Sequence, residues 1–293
     1  MSSQVWFITG SSRGLGRALV TAALEAGDRV VATARRPEAL AEAFKEYGDR
    51  VHPLALDVTR PEAARKAVEA ALARFGRIDV LVNNAGYANV SPIETSDDED
   101  FRAQFETNFW GVHNVTKAAL PALRQQGAGT VVQISSIGGR VGGSPGIASY
   151  QAAKFAVDGF SRVLAAETAP FGVRVMVVEP SGFATDWAGS SMTVHPIPDA
   201  YDATVGEMNR LVRRSTAGAA GDPRRAAEII VRTVHRGQVP THLPLGVNAT
   251  TMAQDYSRRQ LAQATAWEKV SRSADFNEPY PAQLPAEDED SAG

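Results

Sequence analysis

Short, almost wholly apolar runs alternate along this chain with stretches where apolar residues return every three or four positions. Val5-Trp6-Phe7-Ile8 is the first run, and Leu15, Leu19, Ala22 and Ala26 then share one face at helical spacing before Gly27. That pattern predicts a strand, a helix and its stop. Residues 30–34 read as a second strand, Pro37 opens a helix closing near Gly48, and residues 51–56 read as a third strand. Thr59 and Glu62 have capping-box spacing for a helix ending near Gly76, and residues 78–82 are the fourth strand. Ser96 and Glu99 repeat that spacing. The acidic run Asp97 to Asp100 therefore reads as a helix start whose charges complement the macrodipole, rather than as a metal-binding cluster. A long helix should follow through Asn108 to about Leu123. Strands at 131–134 and 173–178 flank a helix over 149–169; residues 224–235 form a further helix, and Leu243 sits in a short last strand.

Parallel strands need crossover connections, so continuous apolar strands between amphipathic helices predict an α/β fold: a single doubly wound Rossmann-type parallel sheet with helices on both faces. No repeat or linker divides the chain, and residues 1–282 are expected to form one domain. Within it, residues 188–221, rich in Gly, Ser and Pro, are expected to be a substrate lid, and residues 250–270 an amphipathic C-terminal helix; the acidic stretch 283–293 is expected to be a flexible tail.

The 293 residues are 44% hydrophobic and 22% charged, enough to bury a full core. Thirty Lys and Arg against 33 Asp and Glu leave a net charge of −3, without the basic excess of a nucleic-acid binder. The absence of cysteine excludes disulfides, thiolate metal sites and a cysteine nucleophile. The five histidines form no His-Glu-x-x-His pair, and His195 beside Pro196 reads as a surface loop residue. No basic leader and no long apolar run is visible, which predicts a cytoplasmic protein without a membrane span.

Directly after the first strand comes Thr9-Gly10-Ser11-Ser12-Arg13-Gly14-Leu15-Gly16. A strand-to-helix turn of this kind needs one glycine to bend and another to let backbone approach a pyrophosphate, whose charge the free N–H groups of the helix start can hold. At this point the chain resembles the classical short-chain dehydrogenase/reductase family. Asp57, Asn83-Asn84-Ala85-Gly86, Asn108, Ser136, Tyr150-x-x-x-Lys154, and Pro180 with Thr185 follow in the family's order, so the resemblance spans about residues 5–245. It implies a nicotinamide dinucleotide held by Gly10, Ser12, Arg13, Gly14, Leu15 and Gly16, with Asp57 and Val58 near the adenine. It also implies that Asn84, Ala85 and Gly86 lie along the ribose, and that Pro180 and Thr185 lie at the nicotinamide end.

Charge argues for the cofactor's identity. An acid about 20 residues past the glycine loop binds a ribose 2′-hydroxyl, whereas an arginine accommodates a 2′-phosphate. Here Ala34 stands 18 positions beyond Gly16, and Arg35 and Arg36 follow. With Arg13 in the loop this predicts NADP(H), with Arg13 and Arg35 on the phosphate. The competing reading pairs Arg35 and Arg36 with Glu38 or Glu42 at the surface.

Tyr150 and Lys154 lie four apart at a helix start and so share one face, where an ammonium lowers the pKa of a nearby phenol. The resemblance implies that the tyrosine protonates a carbonyl as hydride leaves the nicotinamide. It further implies that Lys154 also holds the nicotinamide ribose, that Ser136 polarises the carbonyl, and that Asn108 supports a water-mediated proton relay behind Lys154. Two departures stand out. The interval from Ser136 to Tyr150 is 14, about one more than is usual in the family, and Gly142-Gly143-Ser144-Pro145 is expected to absorb it. The family's usual Pro-Gly reads Pro180-Ser181-Gly182 here, so Gly182 is expected to take the turn.

Tyr87, Trp187, Met192 and Tyr201 predict a pocket suited to a small apolar or aromatic carbonyl or alcohol substrate. Family members associate through the helices carrying Asn108 and Tyr150, which implies a homodimer or homotetramer. A non-catalytic NADP-binding regulator or scaffold is the alternative; such a member would be expected to have lost Ser136, Tyr150 or Lys154. A dehydratase or epimerase would need a further acid–base group, which is not evident in the sequence.

Overall fold

The computed structural model describes residues 3–184, 192–217 and 221–285 of the chain. Its strands are β1 (Val5–Ile8), β2 (Arg29–Ala34), β3 (Val51–Ala55), β4 (Val80–Asn83), β5 (Gly129–Ile134), β6 (Val173–Pro180) and β7 (His242–Leu245). They form one sheet in the order β3-β2-β1-β4-β5-β6-β7, and all neighbours run parallel. The chain winds outward one way from β1 and the other way from β4. The switch point therefore lies between those two strands, where a doubly wound sheet opens a crevice at the carboxyl ends.

Side-chain alternation divides the core between the two faces. Trp6, Ile8, Val30 and Ala32 face α1 (Gly14–Glu25) and α9 (Pro223–His235), where Leu19, Leu24 and Ile230 meet them. Val5, Phe7 and Val31 face the other side, toward α3 (Pro61–Phe75), α5 (Gly111–Gln126) and α7 (Ala148–Thr168), through Val68, Val115 and Leu164. The expected fold class is therefore the observed one.

Several local expectations shift. The helix expected to reach Gly48 ends early as α2 (Glu38–Ala43), where Phe44 leaves helical geometry with φ −120°, and a separate tight turn holds Gly48 at φ 53°. Thr59 does not cap α3: its hydroxyl donates to Asp57 Oδ1 at 2.8 Å, and Pro61, needing no partner for an N–H, opens the helix. The cap of α4 (Asp98–Phe105) is Asp97, which accepts from Asp100 N at 2.8 Å, while Ser96 turns back to the Ile93 carbonyl. A π-helical turn, Glu106–Trp110, joins α4 to α5 and contains Asn108.

The segment expected to be a lid carries a helix, α8 (Glu207–Ala217). The C-terminal helix starts earlier than expected, as α10 (Val247–Ala266), and α11 (Glu268–Arg272) follows. A short α6 (Gly138–Val141) comes directly after Ser136.

Candidate active site

The loops after β1 and β4 are stitched together across the switch point. Thr9 Oγ1 accepts the Asn84 and Ala85 N–H groups at 2.9 and 3.0 Å, and Asn84 Nδ2 donates to the Thr9 and Gly10 carbonyls. The contact is too close for a side chain at Gly16, where a Cβ would stand 2.2 Å from the Gly10 carbonyl oxygen. Gly10 and Gly14 are left-handed, with φ 66° and 53°. Arg13, the residue before α1, caps no helix N–H with its side chain. The free N–H groups at this helix start fit a pyrophosphate.

A cavity of about 1200 Å³ extends from this loop along the carboxyl ends of the strands. Every residue expected to hold cofactor and lying among the described residues lines it: the glycine loop, Arg35, Asp57, Val58, Asn84, Ala85, Gly86, Tyr150, Lys154 and Pro180. Thr185 and Trp187 lie outside the described residues. The surface pairing considered for the arginines is not seen: Glu42 pairs with Lys45, and among the described residues no carboxylate forms an ion pair with Arg13, Arg35 or Arg36.

At the other end of the cavity α7 presents Tyr150 and Lys154, 7% and 3% exposed. Lys154 Nζ donates to the Ile134 carbonyl at 2.7 Å and lies 5.6 Å from the Tyr150 ring centroid. Ser136 Oγ hydrogen-bonds Tyr150 and accepts the Gly138 N–H at 3.1 Å, which fixes it at the start of α6. Ser135 differs: it is buried, with its hydroxyl turned to the Lys154 carbonyl at 3.4 Å. Asn108 does not line the cavity. Fully buried, it donates to the Tyr87 and Gln104 carbonyls at 2.8 Å each, and a Cβ on Gly86 would meet its Oδ1 at 2.5 Å.

The electrostatics correct one expectation. Lys154 was expected to lower the Tyr150 pKa, but burial pushes the phenol up to about 12, with the Ser136 hydrogen bond opposing it. Burial also lowers Lys154 to about 8. Desolvation sets the direction for both groups because each charged form loses water in this corner.

The two departures from the family's pattern have structural answers. Gly142, Gly143 and Gly146, with φ 65°, 76° and 88°, turn the chain between α6 and Tyr150. Gly182 does not take a left-handed turn, and Ser181 needs none. Ser181 N donates to the Leu245 carbonyl at 3.1 Å, and the left-handed residue is Gly246 on the neighbouring strand's exit.

Some lining residues were not anticipated. Gln151 follows Tyr150 and accepts the Ser144 N–H at 3.2 Å, leaving its buried Nε2 without a partner among the described residues. Phe183, Leu211, Val212, Asn248 and Met252 also line the cavity. Of these, Asn248 and Met252 carried a sequence signal, the one-turn spacing that puts both on one face of α10. His195 is half-buried and pairs with Asp100 at 3.2 Å, holding its segment to α4 away from the cavity.

A partly buried ionic network links α7 to α6, β6 and β7. Arg140 meets both oxygens of Glu179, and Asp158 is held between Arg162 and His242. Donor atoms of Asp158, Glu179 and His242 all lie within 4.8 Å, but the two arginines already answer both carboxylates.

Residues 4–194 match the sequence model of the short chain dehydrogenases. An oxidoreductase of Botryotinia fuckeliana, BOA17, is 46% identical over 270 residues, covering 92% of this chain and 98% of that protein. A 3-ketodihydrosphingosine reductase of Bacteroides thetaiotaomicron is 34% identical, covering 84% of this chain and 89% of its own length. The crystal structure of a short-chain dehydrogenase from Streptomyces avermitilis superposes with a TM-score of 0.87 at 40% identity, covering 94% of this chain and all of that one. The chain belongs to the short-chain dehydrogenase/reductase family and is an oxidoreductase of the class that binds a nicotinamide cofactor. Among the described residues no helix is long and apolar enough to cross a membrane.

Proposed function

We propose that the protein interconverts a ketone or aldehyde and an alcohol with NADP(H), using Tyr150 as general acid and base. The observation that carries this reading is one buried corner of the cavity, where Ser136 hydrogen-bonds Tyr150 beside Lys154. A carbonyl oxygen entering that corner accepts from the Tyr150 and Ser136 hydroxyls, which draws charge onto oxygen and opens the carbon to attack. With its pKa at about 12, Tyr150 keeps its proton at neutral pH and has it to give in reduction. In the oxidative direction the phenolate form of the same oxygen takes the proton from the alcohol.

The cofactor's residues fit NADP(H) on charge: the glycine loop and uncapped α1 start suit the pyrophosphate, and Arg13 and Arg35 suit the 2′-phosphate. When bound, the nicotinamide supplies or accepts the hydride. Lys154, anchored on Ile134, offers its remaining donors to the ribose hydroxyls, and Asn108 keeps the floor beneath Gly86 rigid as support for a water-mediated relay. Trp110 and Val163, exposed on the helical segments that carry Asn108 and Tyr150, support a homodimer or homotetramer.

The test is NADPH oxidation across ketones and aldehydes beside the Tyr150→Phe variant. The variant is expected to lose about 10²- to 10⁴-fold in turnover, with NADPH affinity by fluorescence titration retained. Full turnover in the variant would remove Tyr150 from the mechanism. Binding without turnover by the wild type would favour a regulatory role.

A further inference from the structure

Alpha-helix α10 is docked on the catalytic corner itself. Its small residues Ala249 and Ala253, both buried, pack against Ile137 and Val141, which flank the turn that follows Ser136. Alanines at this spacing let the helix approach closely, so the adjacent face, with Asn248 and Met252, is brought to the cavity. Opposite stand Leu211 and Val212 of α8, with Phe183 between. Met252 is 40% exposed and Leu211 55%, though each lines a cavity. Apolar surface left accessible in a concave site is what a ligand covers.

Charge narrows the ligand further. Among the described residues, the charged ones that line the cavity are Arg13, Arg35, Asp57, Glu106 and Lys154. None of them belongs to α8, α10 or the exit of β6. Among the described residues this wall offers no cation to a carboxylate or phosphate, and burying a charge there without a counter-ion would be costly. Methionine is the side chain best able to adapt to chains of different shape.

Resting on the reductase reading above, we infer that the first turns of α10 select the substrate. They face a neutral ketone or alcohol with an extended apolar chain, which lies between Met252 and Leu211 with Asn248 at the polar rim. Chain length is therefore read at two walls carried by different helices, and removing either wall weakens the preference for long chains.

The experiment compares kcat/KM for 2-butanone, 2-decanone and the charged analogue 9-oxodecanoate, together with calorimetric binding of 2-decanol to the NADP-loaded protein. Met252→Ala and Leu211→Ala are each expected to lower the 2-decanone to 2-butanone ratio by about tenfold or more, and to weaken 2-decanol binding in step. Leu261→Ala, further along α10 and 69% exposed, is expected to leave the ratio in place. An unchanged ratio in both wall variants would overturn the inference, as would 9-oxodecanoate being used as well as 2-decanone. If the wild type turns over none of these ketones and no other ketone or aldehyde, the reductase reading falls. In that case 2-decanol binding decides the wall separately: loss in both wall variants keeps it, and unchanged or absent binding removes it.

Discussion

Ser181 Oγ stands 2.6 Å from the point a Cβ of Gly246 would occupy, so the side chain on one strand exit fills the space left by the glycine on the next. Gly246 is also left-handed, with φ 98°. Gly246→Ala should therefore destabilise by two routes, steric and conformational, together about 1–3 kcal/mol. In a Ser181→Gly background the steric part vanishes and the backbone part stays. Urea unfolding of the four proteins of this cycle should show the penalty reduced but not abolished; an equal penalty in both backgrounds would mean that the two residues are not coupled.

Arg35 lines the cavity and has no carboxylate partner among the described residues, which leaves its charge for a ligand. A charge-assisted hydrogen bond is worth about 1.5–3 kcal/mol. Arg35→Ala is thus expected to weaken NADPH by about 10- to 100-fold while NADH affinity stays near its starting value. Fluorescence titration of both cofactors checks this, and an equal loss for both would show that Arg35 does not read the 2′-phosphate.

The parts legible in the sequence were those set by local spacing. The apolar run into the glycine loop and the one-turn interval from Tyr150 to Lys154 each follow from neighbours in the chain. The parts that were not legible depend on partners far away. Asn108 sits in a π-turn, its amide reaching the Tyr87 carbonyl 21 positions back, and nothing near Asn108 in the sequence announces that partner. Asp97 rather than Ser96 caps α4 because both residue types can cap and the spacing is ambiguous by one. Spacing also predicts that Tyr150 and Lys154 meet but not how deeply they are buried, which reverses the expected direction of the tyrosine's shift. The docking of α10 rests on two alanines, residues that hydrophobic periodicity weighs lightly.

Gly86 separates the cavity from Asn108, and a methyl group there would meet Asn108 Oδ1 at 2.5 Å and Lys154 Nζ at 3.5 Å. Asn108 is fixed by two donated hydrogen bonds and a third accepted from Tyr87 N, so it cannot yield cheaply. Gly86→Ala should displace the Ala85–Tyr87 loop into the cavity and cost about 1–3 kcal/mol in stability. Cofactor affinity should fall with it. Gly143→Ala, whose Cβ has open space, is the control: its cost comes from φ 76° alone and should leave cofactor affinity in place.

Lys154 makes the stability of the cofactor-free protein depend on pH in a predictable direction. Burial lowers its pKa from about 10.5 to about 8, so between those values the unfolded chain binds the proton that the folded protein has released. Stability attributable to this residue therefore rises with pH across that window, because the unfolded state carries more protons. Below about pH 8 both states are charged and the burial penalty is fully present; above about 10.5 neither is, and the penalty is gone. Lys154→Met removes the penalty at every pH while also losing the bond to the Ile134 carbonyl, a term without pH dependence in this range. The stability of Lys154→Met relative to wild type should consequently fall between pH 8 and 10.5, by on the order of 3 kcal/mol. Tyr150, whose pKa burial raises, contributes in the opposite direction only from about pH 10 upward, at the edge of this window. Urea unfolding at pH 7, 8.5 and 10 measures that difference, and a flat one would mean that Lys154 ionises in the folded protein as it does in water.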